Sequence, residues 1–252
     1  MSRKLENKIA VVTGGSTGIG LATARQFALE GAKVYITGRR KAELDAAAAS
    51  IGPQAVAMQV DSSKPADLQH LVDTIQGADG RIDVLFVNAG GGSMIPLGGI
   101  TEEHFDDTFN RNVKGTLFTV QTALPILADG ASVILTGSTA GSSGTPAFSV
   151  YAATKAAVRS FVRNWILDVD KARKIRFNTL SPGPIHTPGL VDLAGPDAAQ
   201  QQGLLDYLAS QVPMGRVGEP AEVAKAAVFL ASDDASFVNG SELFVDGGAA
   251  QV

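Results

Sequence analysis

The chain has 252 residues, 45% hydrophobic and 18% charged, with a net charge of −4 and no cysteine. Such a length suits one large α/β domain or two small ones, and the apolar share supplies a sizeable core. Disulfides and thiol catalysis are excluded, the acidic balance without a basic block argues against nucleic acid as a partner, and no apolar run reaches the ~18 residues of a membrane span.

The opening, residues 1–15, lacks the apolar core of a signal peptide, so a cytoplasmic protein is expected. Residues 8–13 (KIAVVT) are a short β-branched run, the mark of a buried parallel strand. Gly14, Gly15, Ser16, Thr17, Gly18, Ile19 and Gly20 follow, then a helical pattern over 21–30. A plain strand-to-helix turn needs one glycine. Four let the backbone approach a pyrophosphate held at the N-terminus of the next helix.

A second strand at 33–37 leads to Gly38, Arg39 and Arg40. NAD-binding units place an acid near this point for the ribose hydroxyls, whereas arginine accommodates a 2′-phosphate. No acid lies between Tyr35 and Arg40, so NADP(H) is the expected cofactor. Helices are expected at 41–50 and 65–75, and strands at 55–60 and 84–87. The first of these strands ends at Asp61 and Ser62. The second ends in Asn88, Ala89, Gly90, Gly91 and Gly92, small residues that let a flat ligand come close.

A long helix is expected over 101–127, with Asn112 inside it. Asparagine is a poor mid-helix residue because its amide competes for backbone groups. Val113 and Leu117 beside it point to a buried face. A strand at 132–136 then leads to Ser138, whose hydroxyl would sit at a strand end, where open α/β sheets place their ligands.

Tyr151 and Lys155 lie four residues apart on a helix expected over 150–169. That spacing puts them on one face, one turn apart. A phenol titrates near ~10, and a nearby cation lowers that value towards the working range of a general acid. Tyr-x-x-x-Lys is a common string and by itself describes a surface pair as readily as a catalytic one. The nucleotide-binding features upstream give it weight.

A strand at 175–180 runs into the stiff loop 181–188, which holds Pro182, Gly183, Ile185 and Thr187. From 189 to 217 the pattern loosens, and Leu204, Leu205, Tyr207 and Leu208 form an apolar patch at helical spacing. This stretch reads as a substrate lid, about 185–217, with a short helix. A last helix is expected over 220–230 and a last strand over 243–245. Alternating strands and helices give the fold class: α/β, one Rossmann-type domain over 1–252, with a doubly wound seven-stranded parallel sheet and helices on both faces.

Together these residues resemble the short-chain dehydrogenase/reductase family over essentially the full length. The matching pieces are Thr13-Gly14-x3-Gly18-x-Gly20, Asp61, Asn88-Ala89-Gly90, Asn112, Ser138, Tyr151-x3-Lys155, Pro182-Gly183 and Thr187. Within that family the chain is most similar to bacterial NADP-dependent secondary-alcohol dehydrogenases, or ketone reductases, through Gly38-Arg39, residues 232–236 and residues 242–248.

The resemblance implies a proton donor at Tyr151, a ribose-binding and pKa-lowering Lys155, and a substrate-binding Ser138. It implies that Asn112 kinks its helix and holds a water near Lys155, that Asp61 meets the adenine, that Asn88 steadies the cofactor loop, and that Thr187 touches the carboxamide. Many NADP-preferring members carry a base just before the second glycine of the loop. Here that residue is Thr17, which leaves the preference to Arg39.

The expected pocket wall of Met94, Ile95, Phe148, Leu190, Leu204, Leu205, Tyr207 and Leu208, beside Ser138, is mostly apolar and suits a bulky or aromatic ketone. A sugar, a steroid or a carrier-bound 3-ketoacid are alternatives. The last would call for a basic patch, for which Arg111, Lys114 and Arg159 are candidates. A non-catalytic dinucleotide sensor is the alternative from another class. No metal is expected, since carboxylates and histidines show no ligand spacing, and the family resemblance implies a homotetramer.

Overall fold

The computed structural model describes residues 3–252. Seven strands form one parallel sheet in the order β3-β2-β1-β4-β5-β6-β7. They are β1 (Ile9–Thr13), β2 (Lys33–Gly38), β3 (Ala55–Gln59), β4 (Ile82–Val87), β5 (Leu127–Thr136), β6 (Arg176–Pro182) and β7 (Glu242–Val245). All six residues of β4 are buried. A central strand of a sheet covered on both faces has no side to give to water, which is why its sequence runs apolar without alternation.

The side chains nonetheless alternate between two cores. Ile134 of β5 belongs to one, with Phe27, Leu44, Val223 and Leu230 from helices α1 (Gly18–Leu29), α2 (Lys41–Ile51) and α9 (Pro220–Ala231). Val133 and Leu135 belong to the other. There they meet Leu68, Val72, Val120, Val158 and Val162 from α3 (Pro65–Ala78), α5 (Gly115–Ala123) and α6 (Ser149–Asp168). The strand order reverses between β1 and β4, so their C-terminal ends part and leave a crevice.

Two elements differ from the sequence expectation. The long helix expected over 101–127 is four pieces and a strand start. A helix α4 (Glu102–Phe109) passes into a π-helical turn over Asn110–Lys114 and then into α5. A 3₁₀ turn at Leu124–Ile126 follows, where Pro125 has no N–H to continue the helix. Leu127 already belongs to β5.

The lid is more regular than expected. It holds a four-residue helix α7 (Pro188–Val191) and a 14-residue helix α8 (Ala198–Gln211), none of whose residues is buried. Its two ends are tied together at the base. His186 N donates to Gly218 O at 2.8 Å, and Gly218 N donates to Pro184 O at 2.9 Å.

Candidate active site

The glycine loop explains itself through close contacts. Gly14 and Gly18 have φ of +64° and +53°, a region L side chains rarely adopt. A Cβ at Gly20 would lie 2.1 Å from the Gly14 carbonyl oxygen, so Gly20 is required for packing and does not itself line the crevice. Thr17 precedes α1 without making a side-chain cap, which leaves the first N–H groups of that helix for a ligand. Thr187 stands across the opening, its Cγ2 within 3.2 Å of where a Gly18 Cβ would be. Its own hydroxyl accepts from Leu190 N at 3.2 Å to start α7.

The chain leaving β4 is held at both ends. Asn88 N and Ala89 N both donate to Thr13 Oγ1, at 2.9 and 3.0 Å. Asn88 Nδ2 donates to the Thr13 and Gly14 carbonyls at 3.2 and 3.3 Å. Two residues on, Asn112 clasps Gly91 in both directions, accepting from its N–H at 3.0 Å and donating to its carbonyl at 2.9 Å. Asn112 Nδ2 also donates to Thr154 Oγ1 on α6 at 3.0 Å. The residue is 1% exposed and lies in the π-helical turn, behind the crevice wall. The helix irregularity at Asn112 is thus a π-helical turn, and the Asn112 amide is engaged by Gly91 and Thr154.

Tyr151, Lys155 and Ser138 converge on one end of the crevice. The Tyr151 ring is half-buried and stacks on Phe148, with centroids 4.4 Å apart and planes at 26°. On the side of Gly92 the fit is so close that a Cβ there would lie 2.6 Å from the Tyr151 ring. Lys155 is 6% exposed, donates to the Thr136 carbonyl at 2.8 Å, and places Nζ 5.5 Å from the Tyr151 ring centroid. Burial lowers the Lys155 ammonium from 10.5 to about 8. Burial raises the Tyr151 phenol above its ordinary value, and a hydrogen bond from the Ser138 hydroxyl partly offsets this. The expected lowering of the phenol by Lys155 is not found: only the Ser138 hydroxyl works against burial, while the ammonium donates to the Thr136 carbonyl at the end of β5.

At the other end, Arg40 lines the cavity while pairing with Glu43 at 2.6 Å. Arg39 is exposed on the crevice wall with no ion pair among the described residues. Asp61 is held as a carboxylate below its ordinary range. Burial opposes this, but the Ser63 hydroxyl and N–H, at 2.7 and 3.0 Å, and the charge of Arg39 outweigh it.

The cavity has a volume of about 710 Å³ and runs from Arg39 to the lid. Gly14, Ser16, Thr17, Gly18, Ile19, Gly38, Asp61, Ser62, Asn88, Ala89 and Gly90 line it, as do Pro182, Gly183, Ile185 and Thr187. Of the expected substrate wall, Phe148, Leu190 and Leu208 line it. Met94, Ile95, Leu204, Leu205 and Tyr207 do not: Met94 and Tyr207 are 45% and 63% exposed. Ile95 lies off the lining, with its N–H bonded to the Ala147 carbonyl at 2.7 Å. On α8, residues 204, 205, 207 and 208 spread around too wide an arc for all of them to face one crevice, and Leu208 alone of the four reaches it. Leu193, Thr145 and Asp192 line it as well, from the two segments expected to do so, 142–148 and 185–208. Arg111, raised only as a member of a basic patch, also lines it, from the π-helical turn that the sequence did not reveal.

A glycine-lined crevice at the sheet's switch point, backed by an uncapped helix start, defines a dinucleotide-binding protein. A family model described as "Enoyl-(Acyl carrier protein) reductase" matches residues 14–250. The chain is 46% identical over 252 residues to oxidoreductase asL5 of Sarocladium schorii, covering 99% of this chain and 98% of that protein. It is 37% identical over 254 residues to an NADP-dependent (R)-specific alcohol dehydrogenase of Lentilactobacillus kefiri, covering 98% of each. Among solved structures, a short-chain glucose/ribitol dehydrogenase from Brucella melitensis superposes with a TM-score of 0.91 at 31% identity, covering 99% of each chain. The chain belongs to the short-chain dehydrogenase/reductase family and is an oxidoreductase.

The buried lysine has a signed consequence. Its folded value of about 8 lies below its ordinary 10.5, so between those pH values the unfolded chain holds more protons and stability rises with pH. Below about 8 the full cost is present, on the order of 3 kcal/mol at ~1.4 kcal/mol per pKa unit. Ligand-free Lys155→Met should therefore gain on the wild type in melting temperature at pH 7 and lose that advantage by pH 10.5. A gap of equal size at both pH values would show that the ammonium bears no burial cost.

Proposed function

We propose that the chain is an NADP(H)-dependent reductase of bulky, largely apolar ketones, or in reverse a dehydrogenase of the corresponding secondary alcohols. One observation carries this reading: Ser138, Tyr151 and Lys155 meet at one end of a cavity whose other end presents Arg39. When bound, the nicotinamide supplies the hydride. The residues provide the rest. Ser138 Oγ donates a hydrogen bond to the carbonyl oxygen and orients it. Tyr151 Oη gives its proton to that oxygen as negative charge develops there. The Lys155 ammonium, held a turn away in a dry wall, stabilises the phenolate left behind. Loss of the hydroxyl in Tyr151→Phe should remove nearly all turnover while NADPH affinity stays within about threefold, because the group acts in the chemical step. Retention of most of kcat would refute the mechanism, whereas a wild type with no turnover would favour a non-catalytic dinucleotide sensor.

Arg39 supports the 2′-phosphate reading, with Ser16 Oγ beside it. A Cβ at Gly38 would lie 3.4 Å from that oxygen, so a side chain fits there. A charged hydrogen bond is worth roughly 1.5–3 kcal/mol, about ten- to a hundredfold in affinity. The pair Gly38→Asp and Arg39→Leu should move preference from NADPH to NADH, measured as the ratio of kcat/KM for the two. A wild type that uses both equally would contradict the role of Arg39.

Phe148, Leu190, Leu193, Leu208 and Ala140 make the substrate end apolar, with Asp192 and Thr145 its distal polar groups. A polyol would call for more hydrogen-bonding partners than these. A carrier-bound acyl substrate would call for a cluster of free cations at the mouth, but Arg111 is paired with Asp107, Arg159 with Glu242, and Lys114, exposed and without an ion pair among the described residues, does not line the cavity. NADPH oxidation across aryl ketones, sugars and β-ketoesters separates the three. We also infer a homotetramer. The half-exposed Phe105 stacks on Phe109, and Leu167 and Phe237 stand in solvent at the surface of one copy. A monomeric mass in light scattering at micromolar concentration would exclude it.

A further inference from the structure

Tyr151, Lys155 and Arg159 follow one another at four-residue steps on α6 and therefore form one row. The mechanism uses the first two. The third has a different set of partners. Arg159 Nη1 donates to Ser142 Oγ at 2.9 Å and to Glu242 Oε2 at 3.3 Å. Glu242, the first residue of β7, also accepts from Ser181 Oγ of β6 at 2.8 Å.

Ser142 and Ser181 both bear on the short turn that carries Ser138. The turn spans Thr139–Gly141 and is closed by Gly141 N donating to Ser138 O and Ser142 N donating to Thr139 O, both at 2.9 Å. Ser142 is thus its far end, and Arg159 holds it. Gly137 is its near end. There a Cβ would lie 2.2 Å from Ser181 Oγ, so the Ser181 hydroxyl packs directly against the backbone entering the turn. One carboxylate, Glu242, links the two anchors.

We propose that Arg159 and Glu242 are positioning residues whose ion pair, acting through Ser142 and Ser181, fixes the turn that presents the Ser138 hydroxyl to Tyr151. Stability alone does not account for the pair, because partly exposed ion pairs contribute ~0–1 kcal/mol. The Glu242 side chain is only 14% exposed and takes two donors, so it is oriented rather than solvated. The link also joins three elements that no sheet hydrogen bond joins: the end of β5, the middle of α6 and the start of β7.

The test combines a spectroscopic arm with a kinetic arm, and the inference rests on the reductase reading for the kinetic arm only. The variants are Ser142→Ala, Arg159→Lys, and the charge-balanced double variant Arg159→Met with Glu242→Gln. Tyrosinate absorbance is titrated in each, against the same protein carrying Tyr151→Phe, to isolate the Tyr151 phenol. In the double variant the phenol titration should move to higher pH, since the Ser138 hydrogen bond no longer offsets burial. Its kcat for a reduced ketone should fall roughly ten- to a hundredfold, with NADPH affinity within about twofold. Ser142→Ala should shift both in the same direction by less, and Arg159→Lys should stay near wild type. An unmoved phenol titration in a folded variant would overturn the inference, as would equal losses in kcat and cofactor affinity. Should the double variant not fold, Ser142→Ala, which removes one exposed hydroxyl, decides by the same readouts. A wild type that reduces no ketone but shows the titration shift would sink the reductase reading and leave the positioning role standing.

Discussion

The structure depends on how the chain is held as it leaves β4. Two backbone N–H groups there, of Asn88 and Ala89, would lose their partners as the strand ends, and both are taken by the Thr13 hydroxyl of β1. The Asn88 amide returns two bonds to the carbonyls of Thr13 and Gly14. The two strands are thereby locked together at the point where their continuations diverge. Buried backbone groups without partners are costly, so the crevice can open only because these side chains satisfy what the sheet no longer does. Every other feature of the cavity is referred to this edge: the glycine loop on one side, the Gly90–Gly92 strip on the other, and Asn112 clasping that strip from behind.

Asn112 shows why a helix irregularity belongs here. A regular helix would carry its amide past the Gly91 backbone. The π-helical turn over Asn110–Lys114 adds a residue and turns the side chain onto Gly91 and Thr154. Pairing both hydrogen-bonding groups of Gly91 turns a loose glycine run into a fixed wall. Against that wall Tyr151 packs with no space for a Cβ at Gly92, and Lys155 Nζ lies 3.8 Å from where a Gly90 Cβ would be.

The two ends of the cavity follow opposite electrostatic rules. At the Arg39 end, charges are exposed and hydrogen-bonded, so Asp61 stays ionised despite partial burial. At the Tyr151 end, burial dominates. The ammonium is pushed down to about 8 and the phenol up, which reverses their ordinary order and sets them further apart. Lys155 has a carbonyl and no carboxylate as its partner, so its charge is left to act on whatever occupies the crevice.

Much of this was legible in the sequence. Unbroken apolar runs identified the buried strands, glycine spacing identified the loop against α1, and the four-residue step from Tyr151 to Lys155 put both on one helix face. These features are local: backbone conformation, helical periodicity and strand burial are each set by neighbours a few residues away. What lay beyond the sequence needed partners distant in the chain. Leu208 reaches the cavity while Leu204, Leu205 and Tyr207 do not, because the angle at which α8 crosses the lid decides which arc of that helix faces inward. Met94 and Ile95 stay off the cavity lining, on a segment bonded through Ile95 N to Ala147, 52 residues further on. Arg159 reads as a surface cation until β7 brings Glu242 to it from 83 residues away. Lys155 was expected to lower the phenol, but the balance between its charge and burial depends on how deep α6 sits and on the Thr136 carbonyl at the end of β5. The sequence by itself determined the strands, the loop and the shared helix face of Tyr151 and Lys155, since these follow from local chemistry. Only the tertiary structure decided which side chains share the cavity and how far burial shifts them, because desolvation and long-range contact exist only once the chain is packed.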